Sequence, residues 1–187
     1  MRASYLRADE SPVLKYKGPG VHRPGLVRST LVRLNPNRLR QHEEVDPARL
    51  RRVVNAMRSA GLRKAVVADA RTLVLLDGTH RLEAMRKLGA KSVPVLLLDY
   101  QSKDIVVHPG ARKVEYTKEQ VLDAGLSGKR LPPKSTRHMV RRDDGTLVHI
   151  SKIEPVVDLS LAQMGARARG RASQPKNQGN NPKGRDG

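Results

Sequence analysis

The chain has 187 residues, enough for one domain of ordinary size with some flanking sequence. It has no cysteine, which excludes disulfides, thiolate zinc sites and cysteine nucleophiles, and no apolar run near the roughly 20 residues that span a bilayer, so we expect a soluble, cytoplasmic protein. Its 37 Lys and Arg residues against 18 Asp and Glu residues give a net charge of +19, which favours a polyanionic partner such as nucleic acid, an anionic membrane or a phosphorylated ligand.

The N-terminal part of the sequence predicts an irregular arm followed by a strand and a helix. Residues 1–28 carry scattered prolines and glycines, which are typical of an irregular arm. A domain is predicted over residues 29–161, beginning with a strand at residues 30–34. Asp46-Pro47 then predicts a helix with an acidic N-cap and a proline at its first position, and Gly61 is placed to end it. The apolar face of this helix would contain Leu50, Val53, Val54 and Met57.

Short strands and a second helix are predicted in the middle of the chain. Residues 65–68 and 73–76 have the composition of short strands, and a helix should follow from about Thr79 to Leu88, before Gly89. Residues 92–98 are nearly all apolar, as expected for a strand covered on both faces. The alternation of helices and strands predicts an α/β or α+β fold with a small mixed sheet.

The last third of the chain predicts one helix, one loop and one strand before a basic tail. Thr117 and Gln120 have the spacing of a capping box at a helix N-terminus. Residues 128–138 are predicted to form a polar, basic loop. A late strand is expected at residues 146–150, followed by an extended segment through Leu161. We expect residues 162–187 to be a disordered basic tail, which serves either to keep the protein soluble or as a weak tether to RNA.

A candidate phosphate site lies where the third predicted strand, residues 73–76, passes into a helix, at Asp77-Gly78-Thr79-His80-Arg81. Backbone N–H groups and the helix dipole at such a position suit a phosphate, and Gly78 lets the backbone approach it closely. Thr79, His80 and Arg81 would add donors, whereas Asp77 could hold Mg²⁺ or orient a neighbour. The alternative is an ordinary Asp-Gly turn before a capped helix, and the residues leave both interpretations open.

Two further segments could complete this site. Glu43 and Glu44 directly precede the first predicted helix, where they would complement its dipole or, if one is buried, supply a general base for a hydroxyl nucleophile. Lys134-Ser135-Thr136-Arg137-His138 sets cations, hydroxyls and an imidazole behind the rigid Pro132-Pro133. This segment is either a solvated basic loop or a loop that binds an anion.

On these segments the sequence resembles the ParB/sulfiredoxin superfamily and, within it, the archaeal free L-serine kinases, which make O-phospho-L-serine. The resemblance covers roughly Leu31 to Leu161. It rests on His42-Glu43-Glu44-Val45-Asp46-Pro47, Leu76-Asp77-Gly78-Thr79-His80-Arg81-Leu82-Glu83-Ala84, Val93-Pro94 to Asp99-Tyr100, and Pro132-Pro133-Lys134-Ser135-Thr136-Arg137-His138. The element from Asp77 to Arg81 is shared with much of the superfamily, whereas the element from Pro132 to His138 is much more specific.

The resemblance implies a transferase that moves the terminal phosphoryl group of ADP or ATP to the hydroxyl of free L-serine, with Mg²⁺, in cysteine biosynthesis. Glu43 would be the catalytic base, and Asp77 would support the site and bind the metal. The nucleotide phosphates would be bound by Gly78, Thr79, His80 and Arg81. Serine and its developing phosphate would be bound by Lys134, Ser135, Thr136, Arg137 and His138.

The chain departs from the family at Thr79, where a histidine is usual, and over Gln101 to Tyr116, where Tyr116 is the only aromatic residue. The alternative function is a non-catalytic ParB-like protein that binds a nucleotide or a nucleic acid. A sulfiredoxin-type reductase is excluded because that chemistry needs a cysteine. The expected partners are therefore free L-serine and a nucleotide, with weak nucleic-acid contact through the basic tail and no membrane.

Overall fold

The computed structural model describes Val27 and residues 29–166, so the predicted N-terminal arm and residues 167–187 lie outside the described residues. The described part contains three α-helices: α1 (Pro47–Ala60), α2 (Thr79–Lys87) and α3 (Lys118–Ser127). It also contains ten strands: β1 (Ser29–Leu34), β2 (Arg40–Gln41), β3 (Leu62–Lys64), β4 (Val66–Asp69), β5 (Val74–Asp77), β6 (Val93–Leu98), β7 (Ile105–Pro109), β8 (Thr136–Arg141), β9 (Leu147–His149) and β10 (Val156–Leu159).

The strands form one mixed sheet and two smaller antiparallel sheets. The five-stranded sheet has the order β1-β6-β4-β5-β2. In this sheet, β4 runs parallel to β6 and β2 runs parallel to β5, whereas the β1–β6 and β4–β5 pairs are antiparallel. The smaller sheets are β10-β3 and β7-β8-β9. This architecture confirms the predicted α+β fold with a small mixed sheet.

The helices begin and end at the residues whose chemistry predicted them. The Asp46 carboxylate caps α1 by accepting from the backbone N–H groups of Ala48 and Arg49. Gly61 ends this helix with a φ of 71°. At α3, Thr117 and Gln120 form the predicted capping box, in which each side chain bonds the backbone N–H of the other residue.

Both faces of the five-stranded sheet are buried, which explains the continuous apolar run of β6. Successive residues of a strand point to opposite faces, and the two faces belong to different apolar clusters. One face packs under α1 and α2 and includes Val66, Leu75 and Val95. The other face packs against α3 and the β7-β8-β9 sheet through residues such as Val67 and Leu76.

The structure corrects the predicted loop at residues 128–138. Its last three residues, Thr136, Arg137 and His138, are the start of β8, where they pair with β7. Strand β7 itself was not predicted, and neither were β2, β3 and β8, whereas β10 lies within the segment that was predicted to be extended through Leu161. Residues Ile105-Val106-Val107 have the composition of a strand, but their pairing with β8 joins segments about 30 residues apart, which a local pattern does not show.

The ordered domain also continues past the predicted end at residue 161. Met164 is fully buried, and its carbonyl accepts from the backbone N–H groups of Lys91 and Ser92. Ala166 is buried in the same core. Residues 162–166 therefore pack with the domain rather than with the predicted tail. No helix in the described part of the chain is long and apolar enough to cross a membrane.

Candidate functional site

A cleft of about 920 Å³ lies between α1, the N-terminus of α2 and the loop that leads into β8. Its apolar lining comes mainly from α1 and β3: Val53, Ala56, Met57, Ala60 and Leu62. Its polar lining gathers most of the residues that the sequence singled out: Glu43, Asp77, Gly78, Thr79, His80, Arg81, Lys134, Thr136 and Arg137. Three segments that are far apart in the sequence therefore meet in one cleft.

The N-terminus of α2 opens into this cleft without a side-chain cap. Gly78 is its N-cap residue, with a left-handed φ of 97°. A Cβ at this position would lie 2.6 Å from Val66 Cγ1, so only glycine lets the turn pack this closely on β4. The Asp77 carboxylate accepts from the Gly78 N–H at 2.8 Å. The turn therefore presents a free helix N-terminus, the arrangement that suits an anion.

His80 is held in one tautomer by the helix beside it. Its Nε2 accepts from the backbone N–H of Asp46 at 3.1 Å. Burial and the nearby Arg49 guanidinium lower the pKa of His80, although the carboxylates of Asp46 and Glu43 act in the opposite direction. A neutral ring that accepts at Nε2 carries its hydrogen on Nδ1. His80 can therefore donate a hydrogen bond to a ligand.

Arg81 also lines the cleft, but its guanidinium is engaged by the protein. It donates to the Ala65 carbonyl at 2.9 Å and forms a two-bond ion pair with Glu154. The side chain of Glu154 is only 2% exposed, and that of Arg81 is 21% exposed. Asp77 Oδ2 lies 3.7 Å from the same guanidinium. Arg81 thus fixes the turn to the sheet, a role that the sequence did not predict.

Glu154 is a site residue that sequence reasoning missed. Burial raises the pKa of Glu154 to about 7, and the neighbouring Asp77 carboxylate acts in the same direction while Arg81 opposes both. The signal in the sequence was a single acid within the otherwise apolar run from Ile153 to Val157. A lone carboxyl in such a run needs a buried cation, but the run does not show that Arg81 is the partner.

The predicted base, Glu43, is held by the loop that leads into β8. Its Oε1 accepts from the backbone N–H of Thr136 at 2.6 Å and from the Thr136 hydroxyl at 2.7 Å, and its Oε2 accepts from the backbone N–H of Lys134 at 3.1 Å. Backbone bonds from Leu131 to His42 and from Glu44 to Leu131 fasten the two segments together. The carboxylate remains 12% exposed at the cleft.

Some residues of the segment from Lys134 to His138 face the cleft, and the others hold the segment in place. Lys134, Thr136 and Arg137 line the cleft. Ser135 is fully buried and donates to the Pro132 carbonyl at 2.8 Å, and His138 is buried with its Nε2 2.9 Å from the Tyr100 hydroxyl. Among the predicted substrate-binding residues, the structure therefore does not place Ser135 and His138 in the lining of the cleft.

The cleft also contains a cation that the sequence analysis did not select. Arg49 lies in the first turn of α1, where a positive charge opposes the helix dipole. A basic residue in the first turn of a predicted helix was therefore the sequence feature that could have identified Arg49. Within the described residues, Arg49, Lys134 and Arg137 form no ion pair with a carboxylate, so these three cations can neutralise a polyanionic ligand.

The acidic residues of the cleft suit a metal that arrives with a phosphate. Within residues 29–166, no three His, Asp or Glu side chains are grouped so that they could hold a metal ion alone. Mg²⁺ usually takes one or two carboxylates together with phosphate oxygens and water. Asp77, whose side chain is 28% exposed, offers one such carboxylate beside the helix N-terminus.

Together, the fold and the cleft define a small α+β domain that gathers a helix N-terminus, a fixed carboxylate and three cations in one cleft. The sequence matches no family model. A ParB-like protein from Sulfolobus acidocaldarius is 30% identical over 74 residues, which are 40% of this chain and 37% of that protein. An ATP-dependent L-serine kinase from Staphylothermus marinus is 31% identical over 84 residues, 40% of this chain and 31% of the kinase. The match thus spans about a third of each relative.

Solved structures match over more of the chain. A free serine kinase in complex with AMP has a TM-score of 0.56 at 14% identity, over 72% of this chain and 93% of that one. A variant of a free serine kinase in complex with ADP has a TM-score of 0.56 at 15% identity, over the same shares. The chain therefore has ParB-like and L-serine kinase relatives and the fold of the free serine kinases, which confirms the predicted ParB/sulfiredoxin-like resemblance.

Proposed function

We propose that this protein phosphorylates free L-serine, taking the terminal phosphoryl group of ATP or ADP and releasing O-phospho-L-serine. The observation that carries the proposal is the position of Glu43: a carboxylate fixed by three hydrogen bonds in a cleft that also contains an uncapped helix N-terminus and three cations. The serine kinases among its relatives, and the AMP and ADP complexes of structures with the same fold, support this assignment.

The nucleotide phosphates would bind at the N-terminus of α2. The backbone of Gly78 and Thr79 and the Nδ1–H group of His80 would donate to them, and Arg49 and Lys134 would offset their charge. Arg81 would act indirectly, because its guanidinium is already bonded to Glu154 and the Ala65 carbonyl. The apolar residues of α1 and β3 would contact the nucleoside part.

Glu43 would accept the proton of the serine hydroxyl as its oxygen attacks the terminal phosphorus. Phosphoryl transfer depends mainly on positioning and on neutralising charge, with little covalent work for the protein. Arg137 and Lys134 would bind the carboxylate of serine or its developing phosphate, and the buried Ser135 would hold the loop in shape. Mg²⁺ on the nucleotide phosphates, held by Asp77, would supply the remaining positive charge.

The direct test is to incubate the full chain with serine, Mg²⁺ and either ATP or ADP, and to measure phosphoserine together with the nucleotide product. We expect phosphoserine to form in equal amount with ADP when ATP is the donor, or with AMP when ADP is the donor. The absence of phosphoserine with both nucleotides across pH 5 to 10 would rule the proposal out.

A second candidate function is nucleic-acid binding without turnover, which the ParB-like relative and the net charge of +19 favour. Binding of duplex DNA and RNA across a range of salt concentrations distinguishes the two. A steep loss of affinity with rising salt indicates phosphate contacts. If deletion of residues 167–187, which leaves the buried Ala166 in place, abolishes that affinity while phosphoserine formation persists, nucleic-acid binding belongs to the basic C-terminal segment and the kinase assignment stands.

A further inference from the structure

We propose that His42, Thr136 and Glu43 form a buried relay that takes up the proton released by the attacking hydroxyl. The use of this relay rests on the proposed kinase function, whereas the hydrogen bonding that carries the inference is a property of the protein alone. Glu43 Oε1 lies 2.7 Å from Thr136 Oγ1, and that oxygen lies 2.9 Å from His42 Nε2. A chain of two short contacts thus leads from the cleft into the core.

The far end of the chain fixes the tautomer of His42. Its Nδ1 lies 2.6 Å from the Leu75 carbonyl, which can only accept, so Nδ1 carries a hydrogen. His42 is 2% exposed, and burial lowers its pKa, although Glu43, the Leu75 carbonyl and Asp77 act in the opposite direction. At neutral pH the ring is therefore uncharged, and Nε2 is an acceptor.

In the resting relay there is one hydrogen fewer than its two short contacts need. Thr136 Oγ1 lies between two acceptors, the carboxylate of Glu43 and the Nε2 atom of His42, but its hydroxyl has a single hydrogen. Only one of the two short contacts can be a hydrogen bond at a time. A single added proton completes both, which is the property expected of a site that stores a proton during a reaction.

The proton can be stored at either end of the relay. As the serine oxygen bonds to phosphorus, the bond from phosphorus to the bridging oxygen breaks and its electron pair stays on the nucleotide. The hydroxyl proton passes to the Glu43 carboxylate. A proton on Oε1 is donated to Thr136, whose own hydrogen turns to His42. Transfer along the same two bonds places the charge on His42 and restores the Glu43 carboxylate. After the products leave, the proton returns through Thr136 to Glu43 and passes from there to water.

The groups around His42 are arranged to tolerate this transient charge. The carboxylates of Glu43 and Asp77 both favour the protonated ring. His138 approaches edge-on, with ring centroids 5.5 Å apart, and burial lowers the pKa of His138, as do His42, His149 and Lys118. His138 therefore stays neutral and does not compete for the proton. Strands β5 and β8 thus supply acceptors and a neutral ring next to His42.

The test is an NMR titration of the full chain, labelled with ¹⁵N in histidine rings and ¹³C in glutamate carboxyl groups, without substrate. Signals are assigned by their loss in His42→Asn and Glu43→Gln. We expect His42 to carry its hydrogen on Nδ1, and its Nε2 signal to change together with the Glu43 carboxyl signal, because the two groups share one added proton. Thr136→Ser should keep this joint titration, and Thr136→Val should separate the two signals.

Turnover supplies a second measurement with a definite sign. Removing the hydroxyl takes two hydrogen bonds from the protonated relay but one from the resting relay, so Thr136→Val should move the acid limb of the pH profile to lower pH. A hydroxyl that only donates to the Glu43 carboxylate predicts the opposite shift. We also expect Thr136→Val to lower turnover by about tenfold or more, and Thr136→Ser to restore most of it.

Three results would overturn the relay: hydrogen on Nε2 of resting His42, separate titration of the two groups in the unmodified protein, or joint titration that survives in Thr136→Val. An acid limb that moves to higher pH in Thr136→Val would also count against it. Because the titration uses no substrate, the first three results are independent of phosphoserine formation. A failure of the kinase proposal and a failure of the relay can therefore be told apart.

Discussion

Arg81 shares its guanidinium between the backbone before β4 and the carboxylate of Glu154, which lies 73 positions away in the sequence. An arginine that follows a glycine turn at a helix N-terminus has the pattern of a phosphate ligand, and the sequence supports that interpretation. What decides its role is a distant acid that no local pattern reveals. Glu43 is the opposite case: the residues indicated that Glu43 or Glu44 could be a base if it was buried, and the family resemblance selected Glu43.

At this scale we predict that Arg81→Leu lowers the free energy of unfolding by about 3 kcal/mol, because it leaves the buried Glu154 carboxyl unpaired. The matched control is Arg63→Leu. Its ion pair with Asp158 is 82% and 65% exposed, so the loss should stay below about 1 kcal/mol. Chemical denaturation measures both. Equal effects of the two substitutions would contradict the structural role of Arg81.

The α2 N-terminus is the element that most directly shapes the cleft. Its position depends on close packing of the turn against β4, and Gly78 makes that packing possible. Gly89, which follows the other end of the same helix, has a similar left-handed backbone with a φ of 72°, but no heavy atom lies within 4 Å of where its Cβ would be. Substituting alanine at Gly89 therefore measures the loss of stability from the left-handed backbone alone, whereas alanine at Gly78 adds the loss from a steric clash.

We predict that Gly89→Ala costs about 1 kcal/mol, the price of a left-handed alanine, and that Gly78→Ala costs at least about 1 kcal/mol more because Val66 must move. Gly78→Ala should also weaken binding of ADP or ATP, whereas Gly89→Ala should not. Denaturation and calorimetric titration with nucleotide measure the two effects. Unchanged nucleotide affinity in Gly78→Ala would show that the turn does not contact the phosphates.

The elements differ in how far the sequence could predict them, for a physical reason. Each helix is specified by residues that lie next to one another, such as Asp46-Pro47 or Thr117 with Gln120, and all three were predicted. Strands β7 and β8 are stabilised by pairing across about 30 residues, which a local pattern cannot show. The contact of Thr136 with Glu43 depends on that pairing. The sequence therefore supplied the parts of the site but not their hydrogen bonding.

The whole molecule buries several titratable groups, which makes its stability depend on pH. Burial lowers the pKa of His42 and His138, so the unfolded chain binds more protons than the folded one below about pH 6.5. Their contribution to stability is complete above this pH and is lost as the pH falls through it. Glu154, with a pKa raised to about 7, acts in the opposite sense, since its contribution is lost as the pH rises from about 4.5 to 7.

His42 and His138 lose their contribution to stability as the pH falls, whereas Glu154 alone gains one. The pKa of His80 is also lowered, so we expect the free energy of unfolding to fall between pH 7 and pH 5. Chemical denaturation at both pH values, at constant ionic strength, measures the change. A protein that is equally stable or more stable at pH 5 would contradict the burial of neutral His42 and His138, and with it the resting state of the relay.

The central claim concerns the whole cleft: that Glu43 is the base of serine phosphorylation. Glu44 provides the matched control, because it is the adjacent glutamate but is exposed and does not line the cleft. The measurement is the turnover number for phosphoserine formation in Glu43→Gln and Glu44→Gln. We predict a loss of about 10² to 10⁴ in Glu43→Gln and turnover close to that of the unmodified protein in Glu44→Gln. Equal turnover in the two variants would contradict the account.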